Sequence, residues 1–197
     1  MEVRNLVCVR GDREVFAGLS FALGSGDMLA VTGPNGSGKS SLLRLLAGLL
    51  RPSAGSIHFH GRGEDDAVMH FLGHADALKP ALTLRETLRF SAALYGGDAA
   101  DANLNAAAKI VGLGHALDLP VGVFSAGQRR RVGLAHLILS PRPLWLLDEP
   151  AAALDSGGEA LIGEMLSDHL GRGGLVIAAT HHALPLPAQH TLDMATA

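Results

Sequence analysis

Residues 33–40, with the sequence GPNGSGKS, carry the residue types that bind a chain of phosphates. They fit the pattern G-x-x-x-x-G-K-[ST], in which glycines let backbone amides approach phosphate oxygens without a side chain in the way. A helix is predicted to follow the loop directly, so its free amides and positive dipole end would face the same anion. The predicted nucleotide-binding residues are Gly33, Pro34, Asn35, Gly36, Ser37, Gly38, Lys39, Ser40 and Ser41.

Two side chains of this loop add to the backbone amides. Lys39 would bring a mobile positive charge to the β- and γ-phosphates, and the Ser40 hydroxyl is a ligand of the kind that Mg²⁺ prefers. The pattern therefore predicts ATP and Mg²⁺ as cofactors, with Lys39 among the catalytic residues.

Asp148 and Glu149 follow an apolar run, residues 144–147, that is typical of a buried strand. Ligands of parallel α/β sheets bind beyond the carboxyl ends of the strands, and the phosphate loop also follows such a run, residues 28–32. Both would then meet at one rim of a sheet. Asp148 is predicted to hold Mg²⁺, and Glu149 to orient or deprotonate the attacking water.

The elements that must position these side chains alternate between strands and helices, which indicates an α/β fold with a mainly parallel sheet. Buried strands are predicted at residues 28–32, 144–147 and 175–179. An antiparallel pair is predicted at residues 1–9 and 15–23, and further strands at 55–60 and 67–72. Helices are predicted at residues 40–50, with the end of this first helix near Gly48, and at residues 83–94, 103–111, 127–139 and 157–170. We expect one domain over residues 1–197, with a helical insert at about residues 75–130.

The composition narrows the class of protein. Hydrophobic residues make up 48% of the 197 residues, which favours a globular fold over disorder. A net charge of −3 gives no bulk attraction to nucleic acid. The single cysteine, Cys8, fits a reducing compartment. We expect no secretion signal and no transmembrane segment, because the N-terminus is charged and apolar runs are short.

Residues 124–132, FSAGQRRRV, resemble the signature motif of ABC transporter ATPases, which is usually L-S-G-G-Q. Ser125 is a favourable residue before the first turn of a helix, whose amides would face an anion. The resemblance implies the ABC-ATPase form of the P-loop NTPase fold, with a head-to-tail dimer. In that dimer one copy would complete the nucleotide site of the other through Ser125, Ala126, Gly127 and Gln128.

Further segments match the same family. Residues 152–155 resemble its D-loop, which contains Asp155, and Thr180-His181 resembles its switch histidine, which implies that His181 bonds the γ-phosphate and the catalytic water. Three positions depart from the family. Ala126 replaces a glycine, His74 stands at the Q-loop glutamine position, and Arg10 stands where an aromatic residue usually stacks on adenine. A guanidinium also stacks on a base, and Phe16 is an alternative candidate.

Gly73-His74, the S-A-G-Q signature and residues 33–55 resemble the ATP-binding subunits of the cytochrome c maturation system, the haem exporters. This resemblance implies a peripheral protein on the cytoplasmic face of a bacterial inner membrane. Its implied partners are a second copy, a CcmB-like membrane permease and other cytochrome c maturation proteins. It would drive haem export or release of a haem-loaded chaperone. Two alternatives stay open: the ATPase of another small-substrate exporter, or an ATP-gated dimerising regulator with little turnover.

Overall fold

The computed structural model describes residues 1–59 and 69–196. Within them the chain divides into two compact units. The first, here called the sheet unit, comprises Met1–Gly73, Pro143–Pro150 and Met165–Ala197. The second, the helical unit, comprises His74–Arg142 and Ala151–Glu164. That both units belong to one domain stays a prediction.

The main sheet of the sheet unit is parallel, as the alternating strands and helices predict. Its described strands are β3 (Met28–Thr32), β5 (Met69–Leu72), β6 (Leu144–Asp148), β7 (Leu175–Ala179) and β8 (His190–Asp193). Their order across the sheet is β5-β6-β7-β3-β8. The central strands are continuous apolar runs because parallel sheets are covered on both faces.

Register brings the carboxyl ends of three strands together. Ala179 at the end of β7 pairs with Val31 on one side and with Asp148 on the other. The loops that follow β3, β6 and β7 therefore start at the same edge of the sheet. These are the loops that contain the predicted phosphate-binding residues, Glu149 and His181.

The predicted antiparallel pair at the start of the chain belongs to a second sheet. Strands β1 (Glu2–Arg10), β2 (Arg13–Ala22) and β4 (Ala54–His58) lie in the order β2-β1-β4, all antiparallel. Alternate residues of these strands join one apolar core with helix α1 (Lys39–Leu46) and the main sheet. The predictions for residues 55–60 and 67–72 fall partly on residues 60–68, which lie outside the described residues.

Helices dominate the helical unit, as predicted for this part of the chain. They are α2 (Leu84–Leu94), α3 (Asp101–Ile110), α4 (Ala126–Leu139) and the first part of α5 (Ser156–Gly171). Thr83 lies before α2 and not in it, because its hydroxyl accepts a hydrogen bond from the Glu86 amide while the Glu86 carboxylate accepts one from the Thr83 amide.

Two elements differ from the sequence prediction. The helix predicted from the leucines of residues 40–50, with its end near Gly48, ends slightly earlier at Leu46, and Gly48 takes the positive φ of 70° that closes it. Strand β8 was not predicted. It is four residues long and largely exposed at the sheet edge, so it lacks the apolar pattern of a buried strand.

His169 near the end of α5 makes the folded state sensitive to acid. Its ring stacks on Trp145 with centroids 3.9 Å apart, and burial lowers the pKa of His169. The unfolded chain therefore takes up a proton near the ordinary pKa of about 6.5, at a higher pH than the folded chain. Protons in this range favour the unfolded state, so we expect stability to fall as pH drops below about 6.5.

This expectation is tested by the urea midpoint measured between pH 7.5 and pH 5.5. Trp145 is the only tryptophan in the chain, so its fluorescence follows unfolding directly. His169→Gln should show a weaker loss of stability with acid than the unmodified chain. The matched control is His115→Gln, which changes an exposed histidine. Equal pH dependence in all three proteins would contradict the role of His169.

Candidate functional site

The phosphate loop between β3 and α1 needs glycine at Gly38 for two reasons. Its φ of 102° is a conformation that residues with a side chain rarely adopt. A Cβ atom there would also lie 2.7 Å from Val15 Cγ1 and 3.1 Å from Phe16 Cδ1. The loop therefore rests directly on strand β2, and the glycine pattern that predicts phosphate binding is also a packing requirement.

Phe16 is buried beneath this loop, so the alternative prediction that it stacks on adenine is wrong. Only 3% of its surface is exposed, and its ring belongs to the apolar core. Arg10, the first candidate for that role, is exposed at the end of β1 and pairs in register with Arg13. Its stacking on a base stays a prediction.

Lys39 is folded back over its own loop. Its ammonium group donates hydrogen bonds to the carbonyl oxygens of Gly33 at 2.7 Å and Pro34 at 3.1 Å. Within the described part of the chain, the Ser37 hydroxyl is buried and lacks a hydrogen-bond partner. A buried hydroxyl without a partner calls for an explanation. A bound phosphate chain would supply one, since its oxygens accept from hydroxyl and ammonium groups alike.

Asp148 and Glu149 lie where the sequence predicts, at the carboxyl end of β6. The Asp148 side chain is buried, with 3% of its surface exposed. Glu149 has a φ of 52°, which is strained for a residue with a side chain. The strained backbone is held by a hydrogen bond from the Glu149 amide to the Ala179 carbonyl at 2.8 Å.

Glu149 and His181 meet directly, although 31 residues separate them in the sequence. The distance from His181 Nδ1 to Glu149 Oε1 is 2.7 Å. The carboxylate is mostly buried, with 14% of its side chain exposed, whereas 47% of the His181 side chain is exposed. A histidine held by one ring nitrogen keeps the other available for a second partner.

The residues present fit a magnesium ion by the chemistry of their donors. Ser40 offers a hydroxyl in the first turn of α1, and Asp148 offers a carboxylate, which are oxygen ligands of the kind that Mg²⁺ prefers. When bound, the ion would neutralise charge that develops on the transferred phosphate.

In the helical unit the signature residues begin helix α4. The Gln128 amide donates to the Ser125 hydroxyl at 3.2 Å, and the Ser125 amide donates to the Gln128 side-chain oxygen at 2.9 Å. Ala126 starts the first turn, where alanine is favourable. Alanine in place of the usual glycine at position 126 therefore leaves the start of the helix intact. His74, the Q-loop position, is exposed.

The signature and the predicted D-loop line one pocket of about 670 Å³ in the helical unit. A Cβ atom on Gly127 would lie 2.6 Å from the Ala153 carbonyl oxygen, so the two segments pack tightly. Asp155 accepts hydrogen bonds from the Gly158 amide at 2.9 Å and from Arg131. These contacts lower the pKa of the Asp155 carboxyl, the Gly158 amide most strongly.

The three consecutive arginines of α4 have separate structural roles that the sequence alone does not indicate. Arg131 bonds Asp155, and Arg129 donates to the Phe124 carbonyl. Arg130 has only 3% of its surface exposed and lies 3.5 Å from Asp76. The acidic residues Asp76 and Asp155 were possible partners in the sequence, but charge alone does not tell which arginine is buried.

Comparison with known proteins decides the family. Residues 16–152 match the family described as ABC transporter. The chain belongs to the ABC transporter family. The match includes the phosphate loop, the signature and the Asp148-Glu149 pair, and it ends before Asp155 and His181. The predicted family, fold class and ATP-hydrolysing class of subunit are confirmed.

Relatives and a solved structure agree with this membership. The chain is 53% identical to the cytochrome c biogenesis ATP-binding export protein CcmA of Rhodopseudomonas palustris, over 94% of each chain. Identity to the protein of the same name in Bradyrhizobium diazoefficiens is also 53%, over 94% of each. The solved structure of a putative ABC transporter ATP-binding protein of Pyrococcus furiosus matches with a TM-score of 0.86 at 25% identity. The match covers 99% of this chain and 97% of that protein.

Among the residues that the structure describes, no helix is both long enough and apolar enough to cross a bilayer.

Proposed function

We propose that this chain is the ATP-hydrolysing motor subunit of an ABC membrane complex for cytochrome c biogenesis. The observation that carries the chemistry is the 2.7 Å contact between His181 and Glu149. It lies at the carboxyl ends of the strands, where the phosphate loop also begins. The 53% identity to proteins named for cytochrome c biogenesis and export supports the process.

In the proposed reaction, Glu149 accepts a proton from the attacking water while the oxygen of that water forms a bond to the γ-phosphorus. The bond from that phosphorus to the oxygen it shares with the β-phosphate breaks, which gives ADP and inorganic phosphate. Lys39 moves from the loop carbonyls of Gly33 and Pro34 to the β- and γ-phosphates. His181 keeps Nδ1 on Glu149 and directs its other nitrogen to the γ-phosphate and the water. Ser40 and Asp148 would hold Mg²⁺.

The signature residues are proposed to act on a second copy in a head-to-tail dimer. The α4 amides next to Ser125, which line the pocket that contains Gly127, suit an anion arriving from outside this chain. Asp155 would set the D-loop at the same interface through its bond to Arg131.

The proposed setting is the cytoplasmic face of a bacterial inner membrane, with a CcmB-like permease and other cytochrome c maturation proteins as partners. Haem export and release of a haem-loaded chaperone both fit a motor of this kind. The alternative of a regulator with little turnover is supported by two departures from the family, His74 and Ala126. The Glu149–His181 pair speaks for hydrolysis, because nucleotide binding alone does not need a base in contact with a histidine.

Co-purification from membranes tests the process. The full chain carrying an affinity tag should retain an integral membrane protein of the cytochrome c maturation type, and the complex should hydrolyse ATP. A parallel purification of a tagged, unrelated ABC subunit is the control for nonspecific capture. Retention of a permease for another substrate would overturn the assignment to cytochrome c biogenesis and leave the ATPase assignment standing.

A further inference from the structure

The loop after β7 is closed by one buried hydroxyl. Thr180 has 5% of its surface exposed, and its amide donates to the Val31 carbonyl of β3 at 3.0 Å. Its hydroxyl donates to the His182 carbonyl at 2.9 Å and accepts from the His182 amide at 3.0 Å. The hydroxyl therefore acts both as donor and as acceptor to the backbone of His182. The backbone on each side of His181 is fixed by this turn.

His181 needs such a fixed backbone because its side chain has little packing of its own. Nearly half of that side chain is exposed, and its described contacts are the Glu149 carboxylate and the tilted ring of His182, whose centroid lies 3.9 Å away. An exposed ring keeps one orientation only if its backbone and its hydrogen bond both hold it.

Glu149, the other partner of this contact, is held by Ala179, the residue of β7 that directly precedes Thr180. The Glu149 amide donates to the Ala179 carbonyl, which holds the strained Glu149 backbone in place. Ala179 and Thr180 thus position the two halves of the Glu149–His181 contact from consecutive residues. A change in the Thr180 turn would move His181 relative to a carboxylate that stays fixed.

We propose that Thr180 is a positioning residue for ATP hydrolysis, whose hydroxyl fixes the backbone around His181 so that the imidazole meets Glu149. This inference rests on the proposed roles of Glu149 and His181 in hydrolysis. Threonine hydroxyls also close turns with no bearing on chemistry. The two readings differ in what they predict, since a turn that only stabilises the fold would change melting without a selective change in kcat.

Thr180→Val and Thr180→Ser in the full chain separate these readings. Valine keeps the shape and β-branching but has no hydroxyl, whereas serine keeps the hydroxyl. We expect Thr180→Val to lower kcat roughly 10- to 100-fold, the scale of a small misplacement of catalytic groups. The KM for ATP should stay within about 2-fold, because the phosphate loop is unchanged. Thr180→Ser should retain most of the kcat.

Steady-state ATPase assays at saturating and limiting ATP give kcat and KM, and a thermal melt reports folding. Thr180→Ala, which removes the same hydroxyl with less bulk, replaces the valine variant if that one does not fold. An unchanged kcat in the folded variant that lacks the hydroxyl would overturn the inference. A loss in Thr180→Ser as large as in Thr180→Val, or a parallel rise in KM, would overturn it as well.

Glu149→Gln and His181→Ala, assayed alongside, distinguish the failure of this inference from the failure of the proposed function. If neither lowers hydrolysis, the proposed mechanism itself is wrong. If both lower it while loss of the Thr180 hydroxyl does not, only the positioning role of Thr180 is wrong.

Discussion

Glu149→Gln is expected to lower ATP hydrolysis by about 10²- to 10⁴-fold, the usual contribution of a general base, while ATP binding persists. Glutamine has the size of glutamate, and its side-chain oxygen can still accept a hydrogen bond from His181 Nδ1. It does not accept the proton that the attacking water must lose. The substitution therefore removes the chemistry and leaves the 2.7 Å contact geometrically available.

Single-turnover phosphate release, with ATP binding measured separately, checks this result. The matched control is Glu159→Gln, the same change at an exposed position of helix α5. We expect the control to hydrolyse ATP at the unmodified rate. If Glu149→Gln and Glu159→Gln release phosphate equally fast, Glu149 is not the base.

Gly127→Ala is expected to lower ATP turnover by about 5- to 150-fold, although alanine normally favours a helix over glycine. The added Cβ atom would lie 2.6 Å from the Ala153 carbonyl oxygen, so the signature and the predicted D-loop must separate. Overpacking of this kind costs about 1–3 kcal/mol in the packed arrangement. If hydrolysis requires that arrangement, the cost adds to the barrier, and each ~1.4 kcal/mol is a factor of ten in rate. ATP binding to the isolated chain should change little, because the phosphate loop lies in the sheet unit.

Ala126→Gly is the matched control, one residue earlier in the same turn. It restores the residue that most family members carry and adds no atom, so turnover should stay near that of the unmodified chain. ATPase rates of the three proteins, each with a thermal melt, make the comparison. Equal turnover in Gly127→Ala and the unmodified chain would contradict a functional role for this contact.

Mixing variants tests whether the signature acts on a second copy. A mixed dimer of Lys39→Ala and Gly127→Ala contains one site with both defects and one with none, if each site combines the phosphate loop of one copy with the signature of the other. The mixture should then regain turnover that neither variant has alone. If the signature served its own chain, every site would carry a defect and mixing would restore nothing.

Local chemistry explains why much of this protein is predictable from sequence. The phosphate loop is a short continuous pattern whose glycines meet a backbone requirement, and Gly38 has the positive φ that such a loop needs. The apolar runs at β3, β6 and β7 predict buried strands because both faces of a parallel sheet are covered. Ser125 likewise predicts the start of α4, and in the structure it forms a capping pair with Gln128.

Other features depend on which face of an element is buried, and the sequence does not decide that. Phe16 was a candidate for stacking on adenine, yet its alternating strand turns it into the core beneath Gly38. Arg130 and Arg131 are adjacent charges in the sequence, but the helix turns one toward Asp76 and the other toward Asp155. The polar strand β8 joins the sheet only because β3 offers it an edge.

The sequence by itself was enough to predict which side chains carry the chemistry: the glycines and Lys39 of the loop, Asp148 and Glu149 after one strand, and His181 after another. Only the tertiary structure decided that Glu149 and His181 touch and that the Thr180 hydroxyl closes the turn around His181. The reason is strand register. Pairing of Asp148 with Ala179 sets two distant loops side by side, and such pairing depends on the packing of the whole sheet.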